Sequence, residues 1–449
     1  MSSLVWKNIS MSERIEARKV LIITYYWPPS GGPGVRRILK FVKYLRDFGW
    51  EPFILTVKDG EYPNIDETLI DEIPKGLEIF QTKTWEPYHF YRRLSGKKSK
   101  ANIPTYILNR DDNSSMLERI TKSIRGNIFI PDARIGWIPF AVKKGREIIA
   151  AHDIDLIFSS GPPHTVHLIA YKIARKTGLK WVADFRDPWT DVFYYKDLKR
   201  FGWAISIDQY LEKKVLKNAT AITTVSPTIA ELLKHKIKND YFVLPSGFDE
   251  SDFDGIQSKK PNRFRITYLG NLASSQNPEV LFKVLAEMSS TNSDFKSDLE
   301  LHFAGNIHPV ILASLEKNKL SQFTKIFSYI PHDQVVQSMA SAQILLLMIP
   351  EYIHNEGILT GKLFDYMGAQ KFILGIGPPQ GDAAAILQET NQGRMISYSD
   401  LAGMKELLVE QYYLWKKQNS ISRSSNNKVK KYRFKNLTAK LSNIFSELI

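Results

Sequence analysis

Short apolar runs alternate with helical periods along most of the chain, and each run ends in a loop rich in glycine, proline or polar residues. Lys19 to Tyr25 is β-branched and apolar, which predicts a buried strand. It stops at Trp27-Pro28-Pro29-Ser30-Gly31-Gly32-Pro33-Gly34, a stretch that neither a strand nor a helix can cross. Ile38, Phe41, Val42, Leu45 and Phe48 then share one helical face, and Gly49 ends it. Pro52–Val57 is the next strand. The rhythm fails between about 81 and 130, which reads as an insertion. It resumes with strands at Asp155–Ser160, Trp181–Asp184, Ala221–Val225 and Tyr241–Leu244.

A polar stretch from Pro245 to Lys260 separates this half from a second alternation. Its predicted strands are Arg265–Leu269, Leu299–Phe303, Ile326–Ile330, Ile344–Met348 and Phe372–Gly375, with helices between them. Alternation of this kind predicts an α/β class with two doubly wound, Rossmann-like domains. The expected division is 1–247, 262–404 and a helical tail at 405–449, in which Leu407, Leu408, Tyr412 and Trp415 keep helical spacing.

Composition narrows the picture. The chain has 449 residues, 43% of them apolar and 24% charged, so it affords a large core and is not disordered. It has no cysteine, which removes disulfides, thiolate metal sites and a cysteine nucleophile. No apolar run approaches the length of a membrane-spanning helix, and Met1 to Lys19 lacks the apolar core of a secretory signal. The expected location is therefore the cytoplasm. Charge is uneven: residues 1–250 carry 39 basic and 29 acidic side chains, 251–400 carry 12 and 15, and 401–449 carry 10 and 3. That split does not suit a nucleic-acid binder, and no nucleic-acid motif is present.

Candidate chemistry sits just after the strands, where doubly wound sheets bind ligands. Gly31, Gly32 and Gly34 open a helix and let backbone amides approach an anion, with Arg36 and Arg37 adding charge. Asp184-Phe185-Arg186-Asp187-Pro188-Trp189 puts two carboxylates and a guanidinium at the end of a strand. Asp184 or Asp187 is a candidate proton acceptor or sugar ligand, and Arg186 a candidate phosphate ligand. An internal ion pair is the competing reading. His164, after Gly161-Pro162-Pro163, comes from the neighbouring strand. In the second half, Thr360-Gly361-Lys362 starts a helix suited to a pyrophosphate, with Asp365 one turn in and near a ribose. No pair of histidines or carboxylates has the helical spacing of a metal site, so no metal is expected.

Taken together, the Tyr-Tyr-Trp-Pro-Pro-x-Gly-Gly opening, the Asp-x-Arg-Asp-Pro-Trp element and the Thr-Gly-Lys-x-x-Asp-Tyr helix start resemble GT-B glycosyltransferases of family 4. The bacterial surface-polysaccharide branch is the nearer likeness. The resemblance runs from about residue 19 to 400. It implies a retaining, metal-independent hexosyl- or N-acetylhexosaminyl-transferase whose C-terminal domain holds a nucleotide-sugar donor. It assigns Gly31, Gly32 and Gly34 to the donor diphosphate or the acceptor loop, Lys362 to the diphosphate and Asp365 to the ribose. Ile330 falls at the position that meets the nucleobase, and Gly357 at that of the first motif glutamate, with Glu356 one residue early. Gly270-Asn271 stands where family members carry phosphate-binding cations, and both cations are lost here. The implied mechanism is front-face substitution with no protein nucleophile and no cofactor beyond the nucleotide-sugar co-substrate.

A saccharide or polyprenyl-diphosphate-linked acceptor is the expected second substrate. The mixed aromatics and cations from Trp85 and Phe90 to Arg92, Arg93, Lys97, Lys98 and Lys100 suit an anionic membrane at the inner face. Two rival readings use the same scaffold: a GT-B-like epimerase or phosphorylase, and a non-catalytic sugar-nucleotide-binding partner.

Overall fold

The computed structural model describes residues 17–85, 126–192, 195, 200–256, 261–328, 332–417 and 427–449. The first sheet has seven parallel strands: β1 (Arg18–Ile23), β2 (Trp50–Val57), β3 (Glu78–Thr82), β4 (Leu156–Gly161), β5 (Lys180–Phe185), β6 (Ala221–Thr224) and β7 (Tyr241–Val243). Their order is β3-β2-β1-β4-β5-β6-β7. Helices α1 (Pro33–Leu45), α2 (Ile138–His152), α3 (Thr165–Thr177), α4 (Gly202–Asn218) and α5 (Pro227–Lys236) connect them. Val20 to Ile23 are buried because helices cover both faces of a parallel sheet.

The second sheet has six parallel strands: β8 (Phe264–Leu269), β9 (Leu299–Ala304), β10 (Thr324–Phe327), β11 (Ile344–Met348), β12 (Phe372–Ile376) and β13 (Gly393–Ile396), ordered β10-β9-β8-β11-β12-β13. With it go α6 (Glu279–Thr291), α7 (Ser293–Asp298), α8 (Pro309–Lys317), α9 (His332–Ala340), α10 (Gly361–Gly368), α11 (Asp382–Thr390), α12 (Leu401–Lys416) and α13 (Asn427–Lys430), and the last helix, α14 (Phe434–Leu448), returns to the first sheet. In both sheets the winding direction reverses once, between β1 and β4 and between β8 and β11. Ligands of doubly wound sheets bind at that reversal.

Three features depart from the sequence expectation. β3 and β13 are additional strands; β3 is a half-exposed edge strand and β13 spans only 4 residues, so neither has a strong apolar run. β10 is an exposed edge strand and lies earlier than Ile326–Ile330. The tail divides. Met404, Leu407, Leu408 and Trp415 of α12 belong to the second core, and the Trp415 indole donates to the Pro261 carbonyl at 3.2 Å. A boundary at 405 therefore cuts through a helix of the second domain. Phe434, Leu437, Leu441 and Phe445 of α14 enter the first core, where the Phe445 ring meets Trp50 at 5.2 Å and Phe158 at 5.4 Å. The crossing is a paired one: Phe248 N donates to Tyr432 O at 3.1 Å, and Phe434 N to Phe248 O at 2.9 Å.

Candidate active site

Two helix starts face each other between the sheets. α1 begins after β1 and α10 after β11, each beside its sheet's reversal point. A β-carbon placed on Gly361 would stand 3.4 Å from Pro33 Cβ. Gly32 and Thr360 hold the cap positions, and neither caps its helix with a side chain. Both ends carry partial positive charge, so the space between them favours an anion.

On the C-terminal side, Lys362 Nζ donates to the Tyr268 hydroxyl at 3.1 Å and sits 5.0 Å from its ring centroid. Burial pulls its pKa down to about 8, with Asp365 opposing. Tyr268 in turn donates to the Asn271 carbonyl at 2.7 Å, so Asn271 serves through its backbone. Gly270 has φ 105°, and a β-carbon there would lie 2.7 Å from Lys362 Cε. The glycine both permits the turn and leaves room for the lysine. Burial raises the Asp365 pKa, and Arg36 of α1 is the foremost charge opposing that shift, so the two residues interact across the cleft. Thr360 Oγ1 is buried with no hydrogen-bond partner.

Two other donor candidates sit elsewhere. Gly357 is buried at the seam between domains, where its carbonyl accepts from Ser226 Oγ at 3.1 Å and a β-carbon would press on Thr228. The Glu356 side chain is exposed, and its carbonyl accepts from Asp382 N at 2.8 Å. Gly357 therefore serves the domain seam through its backbone, whereas the Glu356 bond lies within the C-terminal domain and leaves its side chain exposed. Ile330 lies outside the described residues.

On the N-terminal side, Gly34 adjoins Arg186 so closely that a β-carbon would collide with Arg186 Nη1. Arg186 Nε donates to Gly161 O at 3.0 Å and Nη2 to Pro162 O. Its guanidinium is thus fixed at the start of α1. Asp187 follows; burial pushes its carboxyl pKa up, Arg186 pulls it back, and no hydrogen bond ties it to a described residue. His164 begins α3 and stacks on Trp189 at 4.3 Å and 7°. Burial, with His167 and Arg186 adding, holds its pKa well below the usual range, so it is neutral. Its Nδ1 is buried without a partner.

Two sequence candidates are corrected. Asp184 is fully buried and does not reach the cleft: it pairs with Arg37 Nη2 at 2.9 Å and accepts from Ser160 at 2.7 Å and Thr223 at 2.8 Å. Arg37 also donates to the carbonyls of Leu244 and Pro245, each at 2.8 Å, so it is a strut and adds no charge to the loop. The Gly31 amide is already used, donating to Asn64 O at 2.9 Å.

Sequence reasoning missed Tyr268, which carries Lys362, and His167. The His167 ring stacks on Phe185 at 4.6 Å, and burial lowers its pKa to about 3. The Trp181 indole donates to Ser159 Oγ at 2.8 Å, and the same hydroxyl is hydrogen-bonded to His167 Nδ1 at 2.9 Å. His167 Nε2 is buried with no hydrogen-bond partner. Tyr268 meets a partner 94 residues along the chain, which no local pattern shows, and His167 lies on the buried side of a helix where a histidine carries no signal of its own. Among the described residues, no three histidine or acidic side chains come together to hold a metal ion.

Comparison with known proteins agrees with this fold. Residues 31–252 match Glycosyltransferase Family 4. Sucrose-phosphate synthase from Thermosynechococcus elongatus superimposes with a TM-score of 0.63 at 12% identity, over 96% of this chain and 99% of that one. Anabaena HepE, solved in complex with UDP-glucose, gives 0.58 at 11% identity over 96% and 99%. TarM of S. aureus, solved with UDP, gives 0.61 at 9% identity over 95% and 99%. Among curated protein sequences none matches this chain.

Proposed function

Because this chain is a family 4-like glycosyltransferase of the GT-B fold, we propose that it moves a hexosyl or N-acetylhexosaminyl group from a nucleoside-diphosphate sugar to a lipid-linked saccharide, with retention and without a metal. The reaction would serve cell-surface polysaccharide synthesis at the cytoplasmic face of the membrane. The observation that carries this reading is the opposed pair of uncapped helix starts, with Lys362 on one side and Arg186 on the other. A diphosphate between them gains amides from both helices and one cation from each domain.

The chemistry follows from that placement. Charge grows on the leaving diphosphate as the glycosidic bond breaks. Fixed amides and the two cations are positioned to stabilise it without reorganisation. Asp365 would hold the ribose. Asp187 and neutral His164 would orient the acceptor hydroxyl, whose proton passes to the departing phosphate oxygen on the same face. The lost cations after β8 are offset here by Arg186 from the other domain. Incubation with a panel of nucleotide sugars and lipid-linked acceptors, followed by NMR of the product, tests the reading: an unchanged anomeric configuration without added metal supports it. An inverted product, an epimerised sugar or no transfer from any donor overturns it.

A further inference from the structure

α4 has an unusual division of charge. Its two carboxylates, Asp208 and Glu212, are buried. Asp208 accepts from the Trp189 indole at 2.8 Å and the Tyr195 hydroxyl at 2.8 Å and pairs with Arg200. Glu212 is tied to Lys236 at 2.7 Å and Thr190 at 2.6 Å. Lys213 and Lys217 face solvent. The helix therefore hides its negative charge and displays its positive charge. α3, packed alongside, adds exposed Lys172, Arg175 and Lys176.

The other end of the same exposed face is apolar. Trp203, Ile207 and Tyr210 recur at helical spacing and are 53%, 43% and 61% exposed, with Phe201 at 56% just before the helix. Phe201 and Trp203 stack at 6.5 Å. Asn127 Oδ1 accepts from Phe201 N at 2.6 Å, which brings the exposed Ile128 to the same edge. Aromatic and aliphatic side chains beside lysines, with no free carboxylate on the helix, match the headgroup zone of an anionic bilayer.

We propose that α4 is an interfacial docking helix. Phe201, Trp203, Ile207 and Tyr210 enter the headgroup region of an anionic membrane, and Lys213 and Lys217 lie on its phosphates. The helix also touches the site. Its inner residue Asp208 holds Trp189, which stacks on His164. Membrane and acceptor groups are then separated by about one helix diameter, roughly 10 Å. The inference deepens the reading of a lipid-linked acceptor and names a surface different from the basic stretch at 92–100, which lies outside the described residues.

The test is co-sedimentation of the full chain with phosphatidylcholine vesicles and with equimolar phosphatidylcholine and phosphatidylglycerol, at low and high salt. The wild type should bind only the anionic vesicles, and less at high salt. A Trp203→Glu, Ile207→Glu variant and a Lys213→Glu, Lys217→Glu variant should each lose roughly tenfold or more in partitioning. Both should keep wild-type melting and nucleoside diphosphate affinity. Unchanged partitioning in both variants, equal binding to neutral vesicles, no vesicle binding, or a lipid-free dimer that Trp203→Glu dissolves would overturn the proposal. Transfer to a lipid-linked acceptor in detergent is read separately, so α4-dependent docking without transfer removes the acceptor reading alone.

Discussion

Arg186 occupies the space that a side chain on Gly34 would fill, and its guanidinium is held there by the carbonyls of Gly161 and Pro162. A cation delivered by β5 thus meets the first turn of α1 only because residue 34 has no β-carbon. Gly34→Ala should therefore displace Arg186 and reproduce the loss expected of Arg186→Ala. Loss of one charge-assisted contact is worth about 1.5–3 kcal/mol in transition-state stabilisation. The double variant should be no worse than Arg186→Ala alone, and kcat/KM for the three proteins checks this. Additive losses would separate the two residues.

Asp184→Asn should damage the fold before the chemistry. The substitution leaves the Arg37 guanidinium buried without its counter-charge, at a cost of about 3–5 kcal/mol. Arg37 and its hydrogen bonds hold the Asp184 carboxyl below the usual carboxylate range. Its stabilising contribution is therefore full above a pH of about 4 and falls as pH drops further. Urea midpoints across pH should show a lower plateau and a flatter acid limb in the variant. A wild-type midpoint would contradict the pairing.

Asp187→Asn should lower turnover while sparing donor affinity. The residue lies on the domain opposite Lys362 and has no hydrogen-bond partner among the described residues. Turnover and nucleoside diphosphate affinity, measured on one preparation, separate the two effects. A variant with full turnover would leave the carboxylate no part in the reaction.

Much of the fold was legible along the chain because parallel strands buried on both faces announce themselves as apolar runs. β3 did not, since Glu78 and Gln81 break the run on a half-exposed edge. The glycine loop before α1 and the Thr360-Gly361-Lys362 helix start were also visible from the sequence. Their partners were not. Arg37 lies 147 residues from Asp184, and Lys362 lies 94 from Tyr268. Local pattern cannot show which of two adjacent arginines turns inward: Arg37 is buried on Asp184, whereas the charge of Arg36 acts on Asp365.

Lys362 also gives the site a pH signature. Burial lowers its pKa to about 8, and an anion binds its charged form. Nucleoside diphosphate affinity should therefore be greatest below pH 8 and fall as pH rises through it. The fall should vanish in Lys362→Ala. A pH-independent affinity in the wild type would show that the ammonium does not meet the ligand.

The most direct measurement is a calorimetric titration of a nucleoside diphosphate panel into the wild type and Lys362→Ala at neutral pH. At least one nucleotide should bind the wild type and lose roughly 10- to 100-fold in affinity in the variant, with thermal melting unchanged. Equal affinity for the two proteins, or no nucleotide bound by the wild type, would contradict a diphosphate site between the starts of α1 and α10.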